Sequence, residues 1–307
     1  MDPINALRIA LGTLTAIYAS VWGRAIHAAV GRPDPSPSSA EDARFPTPLQ
    51  MGVGFVTNFF DTLGIGSYAP TTALFRLRKM VDDRVIPGTL NVGHTLPAVV
   101  QTFIFTELIP VDATTLFAMI SAAILGAWIG AGVVARWPKR TIQIGMGLAM
   151  LVAATLMLLK QMHLAPGQGE AIGVHGVGLL IAVAGNFVLG ALMTLGIGLY
   201  APCMIMISLL GMNEKTAFPI MMGSCAFLMP TSSLRFIRER SYALRPALGL
   251  LVGGVPAVLI AAYIVKEIPL YAVRWLVIVV VLYTAVSMLR SALTEGRAPD
   301  AEAAPSA

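Results

Sequence analysis

The chain has 307 residues, of which 56% are apolar and 12% charged, with a formal net charge of +5 and a mean hydropathy of +0.77. Ordinary soluble domains carry roughly 25% charged residues, so this composition excludes a soluble protein and describes an all-α integral membrane one. The basic excess does not point to nucleic acid, because the Lys and Arg residues sit in short loops between apolar stretches, the pattern that orients membrane proteins.

Residues 4–30 form an apolar segment bracketed by Arg8 and Arg24. It lacks a basic n-region and a small-x-small cleavage site, so it reads as an extra or interfacial helix rather than a removable signal. Residues 31–48 hold five prolines among Ser and acidic residues and read as a loop, closing an N-terminal unit 1–48. A first membrane repeat follows over 49–160: a broken segment 49–79, then helices near 85–107, 112–135 and 139–160. A polar linker, 161–170, leads to a second repeat, 171–292, with a broken segment 171–211 and helices near 214–236, 244–265 and 268–291. The remaining tail, 293–307, is Ala, Pro and acidic and is expected to be disordered.

The repeat is carried by Thr62-Leu63-Gly64-Ile65-Gly66-Ser67-Tyr68-Ala69-Pro70 and Thr194-Leu195-Gly196-Ile197-Gly198-Leu199-Tyr200-Ala201-Pro202, eight of nine identical and 132 positions apart. Gly-x-Gly and Pro are poor residues for a helix interior. Lipid leaves the freed backbone groups unsatisfied, so such a break belongs inside protein or beside a polar cavity. Paired interruptions at matching positions of two halves are a sequence pointer to a transporter's substrate site. Proline suits a first helical turn, so Pro70 and Pro202 each start a new half-helix whose free N–H groups and dipole favour an anion near the bilayer midplane. The expected substrate-binding residues are Thr62, Gly64, Gly66, Ser67, Tyr68, Asn91, Thr194, Gly196, Gly198 and Tyr200. The bland alternative is that the glycines permit close helix packing and the tyrosines fill the core.

Charge separates two topologies. If each broken segment crosses the membrane, the halves are parallel four-helix units and the most basic loop, Arg235 to Arg245, lies outside. If each segment enters and leaves on one face, the halves are inverted, and that loop joins Arg76-Leu77-Arg78-Lys79 and Arg136-Trp137-Pro138-Lys139-Arg140 in the cytoplasm. The positive-inside bias favours the inverted arrangement.

Asp61 precedes the first break, and Met193 stands at the matching place in the second. An intramembrane carboxylate costs about 2.5–3.5 kcal/mol or more, which points to a coupling proton or sodium; the alternative is a cap on the break's own amides. Asn91, His94, Thr95, Ala98, Gln101 and Thr102 share one helical face. His94 within that face suits a proton relay or a neutral bond to a neighbouring helix. Asn186, Ser224 and Thr231 make a thinner polar set in the second half. Gly126-x-x-x-Gly130 is small-residue spacing for helix packing. Only Cys203 and Cys225 occur, in apolar settings, so neither a disulfide framework nor a metal site is expected. No nucleotide, zinc-hydrolase or nucleophile-elbow motif is present, so no catalytic residue, enzyme activity or cofactor is expected.

The run Asp61 to Thr72, the run Ile86-Pro87-Gly88-Thr89-Leu90-Asn91-Val92-Gly93-His94-Thr95-Leu96-Pro97, and the second Gly196 to Pro202 resemble the sulfite exporter TauE/SafE family. That resemblance covers roughly 49–291 and implies duplicated four-helix units in the bacterial cytoplasmic (inner) membrane, exporting or otherwise moving sulfite, sulfonates or related organic anions. The family pattern is richer in glycine where this chain has Ser67-Tyr68, which marks a divergent branch. The expected function is a secondary, multi-pass anion transporter, with an anion channel built on re-entrant segments as the alternative. The expected partners are a small anion, a coupling proton or sodium and the bilayer, with homo-oligomers an open alternative.

Overall fold

The computed structural model describes residues 3–30, 45–82, 84–134, 139–162, 169–193 and 198–295. The greater part of the expected Pro-rich loop and linker, and the tail beyond Glu295, lie outside the described residues. Helices run over α1 (Pro3–Val30), α2 (Pro48–Thr62), α3 (Tyr68–Leu77), α4 (Ile86–Leu108), α5 (Ala113–Val134), α6 (Lys139–Gln161), α7 (Gly176–Met193), α8 (Tyr200–Leu209), α9 (Ala217–Arg238), α10 (Leu244–Glu267) and α11 (Leu270–Glu295), with a 3-10 turn at Glu214–Thr216. Among the described residues five spans, in α1, α7, α9 with its preceding turn, α10 and α11, are long and apolar enough to cross a membrane. α4 is also 23 residues long, but its buried His94, Thr95, Gln101 and Thr102 lower its hydropathy. Its polar side chains turn inward, not toward lipid.

Local chemistry sets the helix starts. Thr47 and Gln50 form a reciprocal capping box ahead of Pro48: the Gln50 amide donates to Thr47 Oγ1 at 3.2 Å and the Thr47 amide to Gln50 Oε1 at 2.8 Å. At α5, Asp112 Oδ1 accepts from the Thr115 amide and hydroxyl, both at 2.8 Å. Desolvation pushes the Asp112 carboxyl upward, but these donors outweigh it and hold it below its ordinary pKa. The Asp112 amide also donates to Ile172 O at 2.9 Å, tying the start of α5 to the approach to α7.

The directions of the elements follow from who meets whom. Gly54 of α2 lies against Gly249 and Leu250 of α10, and Asn58 against Gly254, so α2 and α10 run the same way. Asn58 also meets His94, and Asp61 meets Gln101, so α4 runs parallel to them. α3 doubles back: Thr71 meets His94, and Phe75 clusters with Val53, Ile86 and Leu90 near the starts of α2 and α4. α2 and α3 therefore form a hairpin with the first break at its tip. α7 runs along α5, with Asn186 on Met119 and Gly190 on Ala123. The chain after α8 returns to the start of α7, where the Asn213 amide donates to Ala171 O at 2.8 Å. This is a second hairpin, and because α5 begins where α4 ends, it starts from the opposite end of the bundle.

The remaining contacts close the body. α4 and α9 pack antiparallel, with Thr95 on Ser233 and Phe105 stacked on Phe218 at 5.3 Å. α6 packs on α11, where Gly147 backs onto Leu289. α1 packs on the body along one face: Leu7, Leu11, Tyr18 and Trp22 are buried, the Tyr18 hydroxyl donates to Val92 O at 2.7 Å, and Arg8 pairs with Glu107 at 2.5 Å.

Glycine makes the two hairpin interfaces possible. A Cβ on Gly253 would strike Met51 O and come within 2.8 Å of the Phe55 amide, and one on Gly126 would strike Phe187 O. Gly253→Val should therefore lower stability by about 1–3 kcal/mol through overpacking. Thermal unfolding of the detergent-solubilised protein checks this, and an unshifted midpoint would show that α2 and α10 are not held this close.

Candidate functional site

α2 ends in a glycine-dependent motif. Gly64 takes φ +94, its amide donates to Asp61 O at 2.8 Å and the next amide, of Ile65, to Phe60 O at 3.1 Å, the Schellman pairing that satisfies the last carbonyls of a helix. Gly66 follows at φ +85, a conformation that L side chains resist. The chain then re-enters helix at Tyr68, with Pro70 in the first turn as the sequence predicts. α8 begins the same way, with Pro202 as its third residue. In each first turn the N–H groups before the proline have no helical partner.

Asp61 is the hub beneath the first break. Its Oδ2 accepts from Gln101 Nε2 at 2.9 Å and faces the Tyr200 hydroxyl at 3.5 Å, while Ser67 adds hydrogen bonds from its hydroxyl and its main chain. Capping of the break is thus what its side chain does in this structure. The same Tyr200 hydroxyl lies 3.4 Å from Gln101 Oε1, and Gln101 Nε2 also reaches Thr62 Oγ1 at 2.9 Å. A residue from the second hairpin therefore closes a network built on the first.

His94 is buried between two partners. Asn58 Nδ2 donates to Gly54 O at 2.7 Å, which turns Oδ1 toward His94 Nδ1 at 3.0 Å, so Nδ1 carries a proton. Nε2 faces Thr71 Oγ1 at 3.1 Å, and that hydroxyl lies 2.7 Å from Ser67 O. A second proton on Nε2 would find Thr71 as acceptor while Thr71 keeps its bond to the break. The neutral ring is thus held in place from both of its nitrogens.

Both breaks face one cavity of about 160 Å³, well above the ~10–15 Å³ that admits a water. Of the sequence-predicted residues, Gly66, Ser67, Tyr68, Gly198, Tyr200, Asp61 and His94 line it. Three lie off it: the Thr62 hydroxyl is spent on Asn58 O at 2.8 Å, Gly64 backs onto Met204, and Asn91 Nδ2 donates to its own helix at Pro87 O. Thr194 and Gly196 fall outside the described residues. Asn186 ties α7 to α5 and α9, donating to Met119 O at 2.6 Å and to Ser224 at 3.2 Å, and Thr231 is on the exterior.

The wall opposite the hairpins was not foreseen. It comes from Gln143 on α6 and from Tyr283, Thr284, Ser287 and Ser291 on α11. The signal was present: 284, 287 and 291 share a helical face in an otherwise apolar span, and Gln143 is a lone amide in another. Among the described residues no Lys or Arg lines the cavity. Among the described residues no three His, Cys, Asp or Glu side chains converge as a metal site.

A family model described as Sulfite exporter TauE/SafE matches residues 2–167. Comparison with curated proteins and with solved structures returned no match.

If Asp61 caps the break, Asp61→Leu should destabilise the protein by about 1–3 kcal/mol, because the donors of Gln101 and Ser67 lose their acceptor, whereas Asp61→Asn, which keeps a carbonyl oxygen, should cost less. Thermal unfolding of the two variants side by side decides it; equal effects would remove the capping role.

Proposed function

The chain belongs to the sulfite exporter TauE/SafE family of membrane transporters, and we propose that it is a secondary transporter that carries a small anion between two inverted membrane repeats. The observation that carries this reading is the convergence of both helix breaks on one cavity. Two helix starts aim N–H groups and positive dipole ends at the same space. Gly66 and Gly198, with open space where a Cβ would stand, leave their backbones accessible there. Tyr68 and Tyr200 add hydroxyls, and Asp61 and His94 are the places for a coupling proton.

The repeats are 49–160 and 171–292, and the opposite starting ends of the two hairpins support inversion over parallel four-helix units. Under inversion the basic loops after α3, α5 and α9 share one face of the membrane, with Arg290 near it, and the positive-inside bias makes that face cytoplasmic. α1 is then an added span that starts outside.

The two hairpins differ in a way that suggests the transport step. α8 is seated against α6, α7, α9 and α11, whereas α3 makes substantial contacts with α2 and α4 alone. On the outer side, Ser208 of α8 bonds to Glu214 at 3.1 Å, and Glu214 pairs with Arg274 of α11 at 3.1 Å, both largely buried. The cavity occupies the place where α3 would mirror α8, beside the beginning of α6 and the end of α11. This is a cytoplasm-open state, and exchange of the two hairpins' docking on α6 and α11 gives alternating access.

Replacement of Gly66 or Gly198 by Leu should reduce anion flux in proteoliposomes by at least about tenfold while insertion is retained; unchanged flux in both would sink the site. Gradient-driven accumulation, rather than an ohmic current, is the expected behaviour and separates carrier from channel. In a chain lacking Cys203 and Cys225, Ser287→Cys should react with a membrane-impermeant thiol reagent from the cytoplasmic face only. Labelling from outside alone would reverse the assigned orientation.

A further inference from the structure

We infer that this cavity selects a monoanion that brings its own hydrogen-bond donor, and that Gln143 on α6 reads that donor. The inference rests on the anion-transport reading above and goes beyond it to the chemical class of the cargo.

Charge limits the cargo. Among the described residues no Lys or Arg lines the cavity, and Asp61 is one of its lining residues. Positive potential comes from the two helix starts, each equivalent to about half an elementary charge. Together they match about one negative charge, so a dianion would leave an uncompensated charge in a dry site.

Two buried lining atoms lack a partner, one on each side. On the hairpin side, beside the first turns of α3 and α8, the Tyr68 hydroxyl is buried with no partner. The α6 and α11 wall holds an acceptor that wants a donor. Gln143 is 7% exposed and its Oε1 has no partner. The Thr284 hydroxyl donates to Val280 O at 2.9 Å, so only its lone pairs remain. Buried acceptors without donors are uncommon in native structures, and a ligand O–H or N–H would supply what Gln143 lacks. An oxoanion head at the breaks with a hydroxyl or amine toward α6 satisfies both walls at once; a bare alkylsulfonate satisfies only one.

Ethanesulfonate and 2-hydroxyethanesulfonate carry the same charge and differ by one hydroxyl, so they isolate the donor. Titration calorimetry on the full chain in lipid nanodiscs should show the hydroxylated ligand bound about tenfold more tightly, the scale of one hydrogen bond in a desolvated site. Gln143→Met should bring that ratio to within about twofold of one, and Thr284→Val should shift it the same way by less; Tyr68→Phe should weaken both ligands by a common factor of roughly five to ten. Equal affinity for the two ligands in the unaltered protein, or a ratio preserved in Gln143→Met, overturns the inference while leaving anion transport standing. Binding of neither sulfonate overturns it and removes sulfonates from the anions this cavity takes, without touching transport of other anions. Should Gln143→Met fail to fold, the unaltered protein and Thr284→Val still decide the matter.

Discussion

A helix that stops away from solvent strands amide and carbonyl groups that must find other partners, and α2 stops at the buried Thr62. The chain meets this constraint in three layers. The Schellman pairing at Gly64 satisfies the last carbonyls of α2, Asp61 accepts the donors of Ser67 and Gln101, and Tyr200 arrives from the other hairpin to complete the network. The residues before Pro70 and Pro202, Tyr68, Ala69, Tyr200 and Ala201, line the cavity.

Holding two hairpins deep in the protein demands close backbone approach. Gly54, Gly249 and Gly253 do this between α2 and α10, and Gly126 and Gly190 between α5 and α7. Without water in the bilayer to drive helices together, contact of this kind is a main source of their association. The same glycines that look dispensable in an apolar sequence fix where each tip can lie.

The hairpins share a near-identical sequence run and differ in the chemistry around it. Around the first tip stand Asp61, Asn58, Thr71, His94 and Gln101, linked through hydrogen bonds. At the second, Met193 takes the place of Asp61 and meets Cys225 through sulfur at 3.7 Å. The buried polar side chains are therefore concentrated around one hairpin, while residues at the start of α3 and of α8 both line the cavity.

Composition and hydropathy determined the membrane setting and the helical class, because 56% apolar residues admit little else. The near-identical nine-residue runs located both interruptions, since Gly-x-Gly and Pro act through local backbone preference, and loop charge favoured the inverted arrangement that the hairpin directions support. Local rules also placed Asp61, His94, Tyr68 and Tyr200 near the cavity. They could not place Gln143 and the α11 hydroxyls across from them, nor withdraw Thr62, Gly64 and Asn91 from it. Those outcomes turn on which face of each helix meets which neighbour over separations such as the 139 residues between Asp61 and Tyr200. Helix periodicity defines a face, but only packing among α2, α4, α8, α9, α6 and α11 decides what that face sees.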